Sequence, residues 1–199
     1  MFRIAIDQPP ANYSYMDASC IQCTCNDCVS FCEEVIKQGS SKLTIKDMGQ
    51  PGISTTVFYN SELKVLKGQE YLESMKHTEG SNNRRIYSKC CGTPIAISDT
   101  GAPLNLVYCC NFKPVEGKEI VNMTPICCFH SRKEDAVPAG SNIRMINGTV
   151  APRSILEIIT RLILLAFVGS YGTGTGIPHG NDKTVGIGLS SIKVDNKQK

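Results

Sequence analysis

Thr55-Thr56-Val57-Phe58-Tyr59, Leu63-Lys64-Val65-Leu66 and Tyr71-Leu72-Glu73-Ser74-Met75 follow one another with only polar or glycine-containing breaks between them. β-Branched and aromatic side chains at this density suit a pleated, half-buried surface, so the three segments predict antiparallel strands and hairpins. Working outward, Phe2 to Ile6 alternates like a strand and is ended by Gln8-Pro9-Pro10. Ile95-Ala96-Ile97, Leu104 to Cys109 and Ile143 to Ile146 extend the pattern, with turn signals at Asp99-Thr100-Gly101 and Asn147-Gly148. The expectation is a mainly β domain over residues 1–150.

Two stretches break the pattern. Val29 to Lys37 could form a short helix or turn closed by Gly39, with Cys32 and Ile36 four apart on one face. Ser154 to Val168 reads as a longer helix, within an expected helical segment 151–168, that starts after Pro152-Arg153 and stops at Gly169. Arg153, Glu157 and Arg161 form one charged stripe on an otherwise apolar cylinder, so this helix is amphipathic. It is expected to pack on the sheet of the domain, with a partner or a membrane surface as the alternatives. Its apolar stretch falls short of the ~20 residues that span a bilayer, and no membrane span is expected. Residues 169–199 are rich in glycine at their start and lack the Gly-Lys-Ser/Thr ending of a phosphate loop, which predicts a flexible tail.

The 199 residues suffice for one hydrophobic core. A net charge of +3, without basic tripeptides, argues against nucleic acid as a partner. No apolar run near Met1 resembles a secretory signal, so an intracellular, cytoplasmic location is expected. In a reducing compartment the 11 cysteines point to metal binding or burial rather than disulfides, and the sequons at Asn12, Asn122 and Asn147 read as chance.

Cys23-Thr24-Cys25-Asn26-Asp27-Cys28 places three thiols within six residues, which a tight loop can turn toward one point. Zinc favours such soft anionic ligands at roughly 2.3 Å. Catalytic zinc sites keep three protein ligands and an open position, whereas structural sites close with four. Cys20-Ile21-Gln22-Cys23 supplies a possible fourth ligand in Cys20, so both readings stand on spacing alone. A redox pair is a third reading, but Cys-x-x-Cys redox motifs open a helix after a strand, and no βαβ pattern is visible. His130 could be a proton donor or a further ligand; beside Arg132 and Lys133 it reads rather as a surface histidine. In Cys109-Cys110 and Cys127-Cys128, one member of each pair is expected to be buried and the other to face away.

The triplet fits the Cys-x-Cys-x-x-Cys motif of the glutathione-dependent formaldehyde-activating enzymes and their centromere protein V relatives. Arg85-Ile86-Tyr87-Ser88-Lys89-Cys90-Cys91-Gly92-Thr93-Pro94-Ile95 also resembles that family's aromatic-Cys-x-x-Cys-Gly-Thr-Pro segment. Leu63-Lys64-Val65-Leu66-Lys67-Gly68 is similar to the strand and glycine turn usual between them. The resemblance spans roughly residues 1–148. It implies curled antiparallel sheets, one catalytic Zn2+ per chain held by Cys23, Cys25 and Cys28 with an open position, and carbon-sulfur lyase chemistry on a small thiol adduct such as S-hydroxymethylglutathione.

The family's second, structural zinc is another matter. It is held by an early Cys-x-Cys pair and both cysteines of the downstream motif. Here the chain opens at Met1-Phe2-Arg3 without that pair, Ser88 stands where the first downstream cysteine would be, and only Cys91 keeps its place. Were Cys90 and Cys91 in a strand, they would face opposite ways, so a second zinc is not expected. The alternative to an enzyme is therefore a catalytically degenerate, zinc-stabilised binding module.

Overall fold

The computed structural model describes residues 3–6, 20–23, 25–49, 52–60, 63–76, 80–99, 104–111, 125–130, 145–147 and 186–187. The helix expected at 154–168 and all of the expected tail except 186–187 lie outside them. The described residues form a mainly β fold with one α-helix. Their strands are β1 (Arg3–Ile6), β2 (Cys20–Cys23), β3 (Ile53–Tyr59), β4 (Leu63–Lys67), β5 (Leu72–Lys76), β6 (Asn83–Ser88), β7 (Thr93–Asp99), β8 (Leu104–Tyr108), β9 (Pro125–His130), β10 (Met145–Asn147) and β11 (Gly186–Ile187). The helix, α1, is Asn26–Gln38.

Nine strands make one sheet in the order β10-β9-β2-β3-β8-β7-β6-β5-β11, and β1 pairs with β4 in a separate two-stranded sheet. The run from β2 through β3, β8, β7 and β6 to β5 is antiparallel. The expectation of purely antiparallel pairing needs correction at both ends, because β2 pairs with β9, β9 with β10 and β5 with β11 in parallel. Gly186 and Ile187, within the expected tail, sit beside Met75 and Lys76 in this way. Parallel neighbours need long connections, which local turn signals do not reveal.

Strand period puts a separate core on each face of the large sheet. On one side Met75, Tyr87, Ile97, Ile53 and Tyr108 meet Cys28, Phe31, Cys32 and Val35 of α1. Those four helix positions follow i, i+3, i+4, i+7, the spacing of a single buried stripe. Phe31 lies edge-on to Tyr87 and stacked with Tyr108, at centroid separations of 6.2 and 6.5 Å. On the other side Phe58, Leu72, Ile86, Ala96 and Val107 pack with Leu63 and Val65 of β4. Ile95 joins this second core beside Ala96, its sequence neighbour, because the β6–β7 register slips between Ile86 and Tyr87. Among the described residues, no helix is long and apolar enough to cross a membrane.

At its carboxyl end α1 is closed by Gly39, whose N–H donates to the carbonyls of Val35 and Ile36. A Cβ on Gly39 would run into the Cys91 carbonyl and Gly92 Cα, so α1 abuts the β6–β7 turn with no space for a side chain. Gly92 answers it from the turn with a φ of 66°, in the left-handed region.

Candidate metal centre

Cys23 ends β2, Cys25 is the N-cap of α1 and Cys28 lies in its first turn. The cluster therefore sits on a strand-to-helix junction rather than in the tight loop expected, and α1 begins at Asn26, three residues before Val29. Cys25 has the extended backbone of an N-cap, φ −64° and ψ 146°, and its sulfur accepts the Cys28 backbone N–H at 3.4 Å. Cys23 donates to the Cys25 sulfur at 3.1 Å. The three sulfurs lie within 4.8 Å of one another and could hold a metal ion.

Three thiols this close cannot share negative charge equally. The Cys23 and Cys28 thiols donate to Cys25, which together with the Cys28 N–H and the Arg85 charge outweighs burial and lowers Cys25 far below the ordinary thiol value. Cys23 is raised, first by donating to Cys25 and then by its bond with Cys28 and by burial. Cys28 is drawn down by Cys23, yet its bond to Cys25 and its burial prevail and push it up to about 11. The helix amino terminus also favours an anion at Cys25.

Cys32, one turn further along α1, is fully buried beside Tyr108 and is not one of the converging ligands. Burial raises its thiol well above the usual value despite a bond with Tyr108.

Arg85 is the charged residue near the cluster that the sequence reading did not single out. It is 6% exposed, and its Nε is buried without a hydrogen-bond partner among the described residues. It stands opposite Met75 on β5 and Ile97 on β7, and two residues before Tyr87, all three in the core beneath α1. Its positive charge reaches Cys25, Cys28 and Cys32. A buried cation is costly without a counter-charge, and one metal dication bound by three thiolates carries the single negative charge that would match it. Donor chemistry and surroundings thus fit a soft divalent ion. In period two Arg85 shares a face with Tyr87, but only the folded chain brings α1 over that face.

The remaining cysteines divide. Cys20 opens β2, where it pairs with Thr56 of β3. Cys90 and Cys91 lie in the turn after β6 rather than in a strand, so the expected opposition of faces does not apply. Cys109 and Cys110 lie in a 3₁₀ turn, Cys109–Asn111, rather than at the end of a strand, and both are half-buried, contrary to the expected one-in, one-out arrangement. Cys109 meets the Thr56 hydroxyl at 3.3 Å and Cys110 the Met48 sulfur at 3.4 Å. Cys127, Cys128 and His130 belong to β9, where Phe129 pairs with Cys23.

The junction also revises the argument against a redox pair. Cys25-Asn26-Asp27-Cys28 does open a helix immediately after a strand, although Cys25 is also hydrogen-bonded to the Cys23 sulfur at 3.1 Å. No protein-family model matches the chain, and no curated protein or solved structure matches it either.

Proposed function

We propose that this chain binds one zinc ion through Cys23, Cys25 and Cys28 and acts as a carbon-sulfur lyase on a small thiol adduct, as its resemblance to the glutathione-dependent formaldehyde-activating enzymes implies. The observation that carries the metal reading is the convergence of three sulfurs within 4.8 Å. Zinc is chosen over other ions because a sulfur-only donor set is soft and zinc has no redox or geometric demand that would exclude it. Bound there, zinc would supply an open Lewis-acid position for the oxygen or sulfur of the adduct. Cys25 holds the anionic end of the cluster at the start of α1, while Arg85 balances thiolate charge from the sheet below.

A specific feature favours the second reading, a zinc-stabilised binding module without catalysis. Ser88 occupies the position of a family cysteine and its hydroxyl lies 3.0 Å from the Cys90 sulfur, so the part of the domain that a second zinc would brace is held by hydroxyl–thiol contacts instead. The test is elemental analysis of the reduced, full-length protein together with exchange of formaldehyde onto glutathione. About one zinc per chain with turnover supports the enzyme. One zinc without turnover supports the module, and absence of zinc with a readily formed cysteine disulfide would replace both by the redox reading.

A further inference from the structure

We propose that the face of the large sheet turned away from α1 carries an anion site, formed by Lys76, Arg84, Ser98 and Asn105, for a phosphate group that keeps one proton. Strand register defines it. Lys76 of β5 stands opposite Arg84 of β6, Arg84 opposite Ser98 of β7, and Ser98 opposite Asn105 of β8, which pairs in turn with Phe58 of β3. The next rung runs Ser74, Ile86, Ala96 and Val107, and its last three members belong to the second core. Each residue of the proposed site lies two positions from one of these, so period two puts all four on the second core's face and the cysteine cluster on the other.

Two independent observations point to a ligand. Lys76 and Arg84 are like charges directly opposed on neighbouring strands, a pairing that destabilises a sheet and that an anion between them would reverse. Both are half-buried, and the rung from Lys76 to Asn105 contains no carboxylate. The second observation is a polar floor at the inner end of the rung, where Ser98 is 3% exposed and Asn105 0%. Asn105 donates from Nδ2 to the Asn60 Oδ1 at 2.6 Å, while its own Oδ1 is buried with no hydrogen-bond partner among the described residues. A buried acceptor left in that condition costs stability until a donor reaches it.

The ligand therefore has to bring anionic oxygens and a hydrogen-bond donor together. Two cations and the Ser98 hydroxyl select the oxygens, and a guanidinium has five N–H groups, enough to serve a ligand beside a protein partner. The Asn105 oxygen, an acceptor, repels an oxyanion and selects an O–H. An ionised carboxylate offers acceptors only. A phosphate group that has lost only its first proton offers both, and a phosphate monoester keeps its second proton up to about pH 6. Sulfate matches the shape of phosphate but carries no proton near neutrality, so it lacks the donor for Asn105.

The experiment titrates inorganic phosphate, phenyl phosphate and sulfate separately into the reduced, full-length protein by calorimetry, at about pH 6 and one ionic strength. At least one of the two phosphates should saturate a single site and bind about tenfold or more tighter than sulfate. Tighter binding of phenyl phosphate would identify the ligand as an ester, and tighter binding of inorganic phosphate as the free ion. Lys76→Gln and Arg84→Gln should each weaken binding about tenfold. Without phosphate, Lys76→Gln should melt no lower than the parent, because it relieves the opposed charges. Chelator treatment should leave phosphate binding unchanged, which keeps this test separate from that of the metal reading. No saturable binding of either phosphate, sulfate binding as tightly as phosphate, or parental affinity in both glutamine variants would overturn the proposal.

Discussion

The sulfur of Cys25 accepts the backbone N–H of Cys28 at 3.4 Å, so one side chain both caps α1 and belongs to the cluster of converging thiols. The two roles can be separated by choice of substituent. Serine is a good N-cap but a poor zinc ligand, whereas alanine is neither. Cys25→Ser should therefore leave the metal-free protein within about 0.5 kcal/mol of the parent, while Cys25→Ala should cost about 1 kcal/mol. Both should weaken zinc binding and abolish any lyase activity. Denaturation of chelator-treated protein and competitive zinc titration check the two halves independently.

Cys20→Ser should leave zinc affinity nearly unchanged, because Cys20 lies outside the Cys23, Cys25 and Cys28 triplet whose sulfurs converge. A competitive titration giving the same loss for Cys20→Ser as for Cys25→Ser would instead indicate a closed, four-thiol structural site.

Arg85→Met should lower zinc affinity about tenfold by removing the buried charge that balances three thiolates. Because the arginine is itself a buried cation, the metal-free variant should be no less stable than the parent. Arg85→Lys should retain most of the affinity. Titration of all three proteins at one ionic strength reads the effect.

Zinc binding near neutral pH should release about two protons, because Cys23 and Cys28 are raised and hold theirs while Cys25 is lowered and has already lost its own. The sign follows from competition between metal and protons for the same sulfurs. Affinity should fall as pH falls, by about a hundredfold per unit where two protons are displaced. Calorimetric titration in buffers of different ionisation enthalpy counts the protons. A release of three would mean that Cys25 is protonated as well.

Gly39→Ala and Gly92→Ala should each destabilise the protein by about 2 kcal/mol or more in thermal or chemical denaturation. At Gly39 the added methyl meets the Cys91 carbonyl, and at Gly92 it meets the Val35 carbonyl on a backbone of positive φ. Zinc affinity should change far less, since both glycines lie at the opposite end of α1 from the cluster.

β3 was legible because Ile53–Tyr59 is dense in β-branched and aromatic residues, and the β7–β8 pair because Asp99-Thr100-Gly101 is a turn signal. The hairpins expected among β3, β4 and β5 do not form: β3 pairs with β2 and β8, β4 with β1, and β5 with β6 and β11. β2 was not legible. Cys20-Ile21-Gln22-Cys23 is only four residues long, and its cysteines drew the reading toward ligand spacing rather than strand propensity. That oversight carried over to α1, whose start at Asn26 is set by a cysteine acting as N-cap, a role that preference rules give to serine, threonine, aspartate and asparagine. The triplet was found because metal-ligand spacing survives in sequence. Arg85 was not singled out, because its importance comes from strand pairing and from α1 lying over it, relations that belong to the folded chain.

The pairing of β2 has a consequence for how the protein is made. Cys20 aligns with Thr56 on one side and with Pro125 on the other. During synthesis the thiols leave the ribosome early and gain β3 soon afterwards, but the other edge of β2 has no neighbour until β9 emerges, roughly ten seconds later at ordinary elongation rates. For that interval the strand ending in Cys23 offers an open ladder to any other chain. Nascent chains halted before Pro125 should therefore be prone to association and thiol oxidation, whereas those that have cleared His130 should be protected.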